Sequence, residues 1–385
     1  MTLNLAFSNA APTRTLWVST NGNDGNSGAE GAPFKSIQAA VNAAKGHPGT
    51  AIMVKAGTYN ENVNISGLHG TKEAPIQLIS ADGPHAAKIV GGPSNAVITG
   101  YKASHVGIKD FHLVANTNSG DIGGVKIWGD FNAPARNLLI EGNLITGKGQ
   151  DGLKVFMGAT DIAIVGNTID GNWRQEAMDV NAIENSTIAF NTLRGKAGFA
   201  GLTMKLGTHD VQVVGNDIDI HAGTGIMVGG HGTSHLSGSY SFDLKEWGQT
   251  MAERITVEDN VINADGRSLA FVASRDSVVK GNYLADSVGS VGYAPGKGLN
   301  YSSHNHQVVD NTVASADFFK PNAGQTNGFV VSGNTVDGAK PDAGAGSGTA
   351  KAVLASLHGQ GLLPDLASLV VPHAGEVAIL PAPTP

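Results

Sequence analysis

The chain has 385 residues, 41% of them hydrophobic, 15% charged and 6% aromatic, with a formal net charge of −7 and no cysteine. The acidic balance argues against a nucleic-acid partner, which wants a basic face, and the missing cysteines exclude a disulfide framework. No apolar run approaches the ~18 residues of a membrane span, so membrane insertion is not expected, and no charged start followed by an apolar stretch reads as a signal peptide.

Residues 1–15 read as an N-terminal tail. Leu16–Ser19 reads as a first strand, and the turn-rich stretch Asn21–Pro33 follows it. Ile37, Ala40, Val41 and Ala44 fall on one helical face, which predicts a helix over Phe34–Lys45 with Ser36 as its N-cap. Ala51–Val54 then starts a strand, and Lys55-Ala56-Gly57-Thr58-Tyr59 ends it. Short apolar runs recur between Gly, Asn and Asp turns at Ile76–Ser80, Ala96–Thr99, Val106–Val114 and Gly124–Trp128.

From there the spacing becomes regular. Asparagines close a Gly-Asn or similar step at 143, 167, 191, 216, 260, 282, 311 and 334, with gaps of 24, 24, 25, 44, 22, 29 and 23. Self-similarity at this period signals a solenoid, which grows by stacking rather than by splitting into domains. Strands of four to six residues at about 24 per coil predict an all-β parallel β-helix with three strands per coil. The helix at 34–45 is then a cap over the open end, where core and strand edges would otherwise be exposed. Asparagines stacked at one inward corner are expected to hydrogen-bond backbone groups that the corner leaves unpaired, and no catalysis is assigned to them.

The gap of 44 holds one strand, Gly225–Val228, and then a long loop, Gly229–Glu253, with His231, Tyr240 and Trp247 in it. Long loops in compact folds are usually functional, and this one is expected to wall a substrate groove. The β-helix is predicted over residues 16–340. Composition shifts to Ala, Gly and Pro after Gly338, so residues 341–385 read as a C-terminal cap and linker, with apolar runs at Thr349–Leu357 and Leu362–Val371.

Chemistry concentrates between Gln150 and Lys205. Gln150-Asp151-Gly152-Leu153-Lys154, Gln175-Glu176-Ala177-Met178-Asp179 and Ala200-Gly201-Leu202-Thr203-Met204-Lys205 are successive copies of one coil segment. Alternation puts Leu153, Val155, Met178, Val180, Leu202 and Met204 inward, and Lys154, Phe156, Asp179, Asn181, Thr203 and Lys205 outward. Coils lie ~4.8 Å apart, so Asp151, Glu176 and Asp179 come within reach of one cation, and such hard oxygen ligands suit Ca²⁺. Two chemistries fit. A cation held by these acids can grip a uronate carboxylate while a lysine removes the neighbouring proton and the glycosidic oxygen leaves. Lys205, beside the cation yet not paired to an acid in its own column, suits the base better than Lys154, whose neighbour Asp179 would raise its pKa. Alternatively, two carboxylates hydrolyse a glycosidic bond. Arg174, His231, Tyr240, Trp247 and Arg275 are candidate substrate-binding residues, with Arg275 able to hold a sugar carboxylate through two hydrogen bonds.

The sequence resembles the pectin-lyase-like superfamily of right-handed parallel β-helices. The motifs are Trp17-Val18-Ser19 with Gly22 and Asp24, Pro33-Phe34 with Ser36-Ile37-Gln38 and Ala40, Val54 with Gly57-Thr58-Tyr59, and the Gly-Asn rungs. The opening is most similar to family-nine polysaccharide lyases of the pectate-lyase type. That resemblance implies Ca²⁺ on an acidic cluster that includes Asp151, a lysine base on a following coil, and an acidic polysaccharide as partner. Lys154 stands where that family has an acid. Gly230-His231-Gly232 echoes a polygalacturonase motif, and the Asp-Pro-His motif of alginate epimerases is not found. The expectation is a secreted, bacterial, monomeric polysaccharide lyase. A hydrolase, a C5-epimerase and a non-catalytic carbohydrate-binding β-helix are the alternatives.

Overall fold

The computed structural model describes residues 10–117, 123–130, 132–230, 251–296 and 299–337, and the backbone of residues 235–236 and 242–243. The chain winds as a right-handed parallel β-helix, with three strand faces around one apolar core. The first face includes Ile98–Tyr101, Val125–Trp128, the starts of Leu153–Val165 and Glu176–Ala189, then Ala200–Lys205, Thr224–Gly229 and Arg267–Val272. The second face takes the later halves of the two long strands and Thr208–Val214. A separate eleven-stranded sheet forms the third.

The first two faces merge because Leu153–Val165 and Glu176–Ala189 run through the corner between them. Left-handed backbone turns that corner, at Met157 (φ 60°) and Gly158 (φ 72°) in one coil and at Ala182 (φ 50°) in the next. Inward positions are filled by Val125, Leu153, Met178, Leu202, Ile226 and Leu269, which stack in register and are all fully buried. Burying a side chain of this size stabilises the fold by about 1.5–3 kcal/mol.

The helix spans Ile37–Ala44, and Ser36 caps it by accepting a hydrogen bond from the Ala39 N–H. Ile37, Ala40, Val41 and Ala44 are its buried residues, as the spacing predicts. The helix joins the core with Leu16, Val18 and Ile52. No helix among the described residues is long and apolar enough to cross a membrane.

The asparagines form a continuous ladder. Each Nδ2 donates to the Oδ1 of the asparagine one coil on, at 2.9–3.0 Å, from Asn143 through to Asn334. Each also donates to backbone carbonyls; Asn191, for instance, donates to Ile164 O at 2.9 Å. Asn216 pairs directly with Asn260, so the 44-residue gap contains an excursion and no extra coil. The residue before each asparagine has positive φ: Gly142, Gly166, Gly215, Gly281 and Gly333 at 64–69°, with Phe190, Asp259 and Asp310 at 54–56°. Glycine meets that requirement at no steric cost, which explains the Gly-Asn step.

The stretch read as one strand, Val106–Val114, is two: Ser104–Lys109 and His112–Asn116. Asp110 (φ 65°) turns the corner between them, and Phe111 occupies the ladder position, giving its N–H to Asn143 Oδ1. With Phe in place of Asn and Asp in place of Gly, that corner carries no sequence signal. Residues 341–385 lie outside the described residues.

Replacing Asn191 by Ala removes two hydrogen bonds that it accepts and two that it donates, all in a dry corner. The expected destabilisation is roughly 3 kcal/mol. Asn334→Ala, at a partly exposed rung, is expected to cost well under half as much. Urea-unfolding midpoints of the two variants check this, and equal shifts would mean that burial does not set the ladder's worth.

Candidate active site

The copies between Asp151 and Lys205 bring five charged side chains together on the outer surface of the first face. Lys154, Asp179 and Thr203 are in register on successive coils, and Phe156, Asn181 and Lys205 form the adjacent column. Asp151 sits in the turn before its strand, and Glu176 opens the next one. Asp151 Oδ1 accepts the Glu176 N–H at 3.2 Å, which ties the two turns.

Asp179 is the centre. Its Oδ2 is 3.1 Å from Lys154 Nζ and accepts 2.9 Å from Asn181 Nδ2; its Oδ1 is 3.1 Å from Lys205 Nζ. Lys154 also contacts Asp151 Oδ2 at 3.2 Å, and Lys205 contacts Glu176 Oε1 at 2.9 Å. Each lysine therefore bridges two acids. Although they point away from the core, the acids are buried, at 3% exposed for Asp151, 4% for Glu176 and 1% for Asp179. The lysine side chains, 12–13% exposed, form the outermost layer of the cluster. Gly230 packs against Lys205 and Thr203 so closely that a side chain there would crowd both.

Fully ionised, three carboxylates against two ammonium groups leave one negative charge over. Glu176 absorbs the imbalance: burial, reinforced by the charges of Asp179 and Asp151 and opposed by Lys205, pushes its carboxyl up to about 8. Burial also raises Asp151, with Lys154 working against the rise. Burial alone would lower Lys205, but Asp179 and Glu176 outweigh it and hold the ammonium above its ordinary range. Near neutral pH the cluster is thus electrically balanced, with a proton on Glu176.

Lys205 has no acid in its own column, as expected, but its side chain reaches across to both Asp179 and Glu176, so it is a held ammonium and a poor proton acceptor. Arg275 is not at the cluster either. It lies in register with Glu253 and His209 on the second face, where Glu253 takes its guanidinium, Nε to Oε2 at 2.6 Å. Arg174 is exposed in the turn two residues before Glu176. His231, Tyr240 and Trp247 lie outside the described residues. Sequence reasoning placed Phe156 and Asn181 outward but gave neither a role, and it missed Tyr101 and Trp128, which share one outward column with Phe156. Repetition of Lys126-Ile127-Trp128 as Lys154-Val155-Phe156 was the available signal.

Asp151, Glu176 and Asp179 offer oxygens within 4.8 Å of one another, the hard donor set that Ca²⁺ takes. Glu176 Oε2, Asn181 Oδ1 and Thr203 Oγ1 accept no hydrogen bond from the described residues. Two ammonium groups, however, already stand 2.9–3.2 Å from these carboxylates. A dication among the same oxygens would face two like charges at contact range, so the arrangement with both lysines in place does not fit a resident Ca²⁺. A raised acid is not by itself the mark of a site. Glu141, buried beside Lys109 at 2.8 Å on the second face, is pushed up to about 7 by burial in the same way. What distinguishes the cluster is three acids and two lysines in mutual contact.

The fold and this cluster define a right-handed parallel β-helix with an acid–lysine cluster on its first face. Residues 20–220 match the family described as "Protein of unknown function (DUF1565)", and the chain belongs to that family. No curated protein matches the sequence. Among solved structures it is similar to the A-module of mannuronan C-5 epimerase AlgE4 from Azotobacter vinelandii, at 15% identity and a TM-score of 0.55, covering 79% of this chain and 93% of that one. It is similar also to XylC in complex with xylose (12% identity, TM-score 0.58, 80% and 70% covered). A third is the GH136 lacto-N-biosidase of Eubacterium ramulus (10% identity, TM-score 0.52, 84% and 67% covered). At these identities the likeness establishes the shared fold.

The sign of the Glu176 effect follows from its raised value. Below its ordinary range the carboxyl is neutral in both folded and unfolded chains. As pH rises from about 4.5 to about 8 the unfolded chain ionises first, and the folded state loses stability. Glu176→Gln keeps an oxygen for Lys205 and removes this loss. Its melting temperature is expected to match the parent near pH 4 and to exceed it increasingly toward pH 8; a constant difference across that range would show that Glu176 ionises normally.

Proposed function

We propose that this protein is a polysaccharide-acting enzyme that cleaves a uronic-acid-bearing chain by β-elimination, with Glu176 as proton acceptor and Lys154 and Lys205 as the cationic clamp. The observation that carries the reading is the cluster itself, in which Glu176 is tuned close to neutrality beside an ammonium held protonated. Pairs of groups pushed apart in acidity are how a site divides acid and base roles. The named activities of the similar structures, a mannuronan epimerase and a lacto-N-biosidase, are consistent with carbohydrate as the substrate class.

In this reading the uronate carboxylate meets the two lysines first, because they are the outermost members of the cluster. It draws the ammonium groups outward and uncovers Glu176 beneath them. Their charge stabilises the enolate that forms when ionised Glu176 takes the C5 proton. The electron pair then forms the C4–C5 double bond, the C4–O bond breaks, and Lys205 supplies the proton to the leaving oxygen. Asp179 positions both lysines, and Asn181 positions Asp179. The lysines supply the positive charge at the substrate carboxylate, so we propose that the reaction proceeds without Ca²⁺. We place such an enzyme outside the cytoplasm, where polyuronates are met.

The test is ultraviolet absorbance of the unsaturated product on pectate, alginate and glucuronan, with chelator and with added Ca²⁺. A rise on one of them that chelator leaves unchanged is expected. The pH dependence of kcat/KM is expected to follow ionisation of Glu176, reaching half its maximum near pH 8 and levelling off above it. Glu176→Gln should lower kcat by at least about 100-fold. New reducing ends without ultraviolet absorbance would make the protein a hydrolase, and uronate inversion without cleavage would make it an epimerase. A rise abolished by chelator would return the clamp to a metal.

A further inference from the structure

We infer that Tyr101, Trp128 and Phe156, with Lys126 and Lys154 beside them, form a row of sugar-binding positions along the coil axis, leading into the acid–lysine cluster and occupied by an acidic polysaccharide chain. This rests on the proposed function for the substrate class and adds where the chain lies and which residues hold its distal units.

The three aromatic residues occupy equivalent positions on successive coils, Tyr101 opposite Trp128 and Trp128 opposite Phe156. Their ring centroids are 5.6 and 5.9 Å apart, with planes tilted by only 33° and 25°. The next two positions in that column are Asn181 and Lys205, so the aromatic row and the cluster share one line on one face. Each ring is partly exposed, on the outside of the solenoid, where no packing requirement of the core asks for it. A pyranose ring presents C–H groups to such apolar surface, and one ring per coil matches the advance of a chain by about one unit per coil.

Charge selects the occupant. Lys126 Nζ lies 5.8 Å from the Trp128 ring centre and 5.4 Å from that of Phe156, and Lys154 Nζ lies 5.6 Å from Phe156. At the far end Lys102 sits 4.9 Å from the Tyr101 ring and pairs with Asp130, which also accepts the Tyr101 hydroxyl. Lys102 is held by Asp130 and Lys154 by Asp151 and Asp179, so these two ammonium groups stand at the rings with acids already on them, and a polymer carboxylate is taken up by exchange for one of those acids. Lys154 belongs to both features, because it touches Phe156 and bridges Asp151 and Asp179. It is the joint between the row and the cluster.

The test measures binding by titration calorimetry to a uronate disaccharide and to long oligomers of pectate, alginate and glucuronan, in Glu176→Gln protein of full length. Trp128→Ala and Phe156→Ala are added to that background, with melting temperatures to check folding and Trp128→Phe as a ring-conserving variant. The inference expects long oligomers to bind roughly tenfold more weakly to each alanine variant, with the disaccharide unaffected and Trp128→Phe close to the parent. Unchanged affinity for long oligomers, or equal losses for disaccharide and oligomer, would overturn it. So would failure of the parent to bind any of the three polymers, or displacement of a bound oligomer by single-stranded DNA at equal concentration. Length-dependent binding in a protein that yields no unsaturated product would leave the row standing and remove the elimination reading. Elimination that is indifferent to Trp128→Ala and Phe156→Ala would do the reverse.

Discussion

Parallel pairing in register, broken at a few bulges such as those after Phe156 and Thr203, is the interaction on which everything else in this molecule depends. Between those bulges each residue of one coil sits directly over its counterpart in the next, ~4.8 Å away, so a side-chain type that recurs in sequence becomes a column in space. Inward apolar columns make the core. At one corner the recurring residue is Asn, and the column becomes a hydrogen-bonded ladder in which each amide serves its neighbour and a backbone carbonyl. On the outer first face the recurring residues are aromatic for three coils and then polar.

A column of charges obeys the same geometry with a harsher energetic rule. Like charges 4.8 Å apart and out of water are strongly unfavourable, so a charged column must alternate in sign or carry protons. The cluster does both. Lys154 stands over Asp179 in register, Lys205 reaches diagonally to Asp179 and Glu176, and the remaining excess charge is met by a proton on Glu176. The proton is thus a consequence of uneven charge count in a dry place, and it is this that leaves Glu176 poised near neutrality. An arriving anion that draws the lysines outward removes the charges that opposed the rise of Glu176. It also admits water, so binding and proton affinity are linked at this site.

Most of the fold was legible because its signals are local. The helix spacing from Ile37 to Ala44, the capping serine, the Gly-Asn steps and the 44-residue gap each follow from backbone requirements that few residues meet. The corner at Asp110–Phe111 was not legible, because Asp tolerates left-handed backbone without announcing it and Phe111 interrupts the asparagines. Within the site, column membership was readable by counting, so Asp151, Lys154, Glu176, Asp179 and Lys205 were found. The reach of Lys205 was not, since a flexible four-carbon stem can bridge positions that counting keeps apart. The burial of outward side chains was hidden as well, because it depends on close contacts that counting does not show, such as that of Gly230 with Lys205 and Thr203. Arg275 failed for a related reason: residue alternation gives outward or inward, but not which of the three faces, and Glu253 takes its guanidinium on the second.

The separation of core from outer columns also accounts for how one solenoid can share its shape with proteins of differing named activity at 10–15% identity. Leu153, Met178 and Leu202 answer to the core, whereas Lys154, Asp179 and Thr203, their immediate neighbours in sequence, answer to nothing inside it. Outer residues can therefore change chemistry without altering register. The constraint that remains is mutual, since an acid introduced on one coil must be balanced on the next. Chemistry on this scaffold is accordingly revised in vertical sets, and the functional unit we propose is a stretch of column spanning several coils: the three coils from Asp151 to Lys205 with the aromatic coils that precede them.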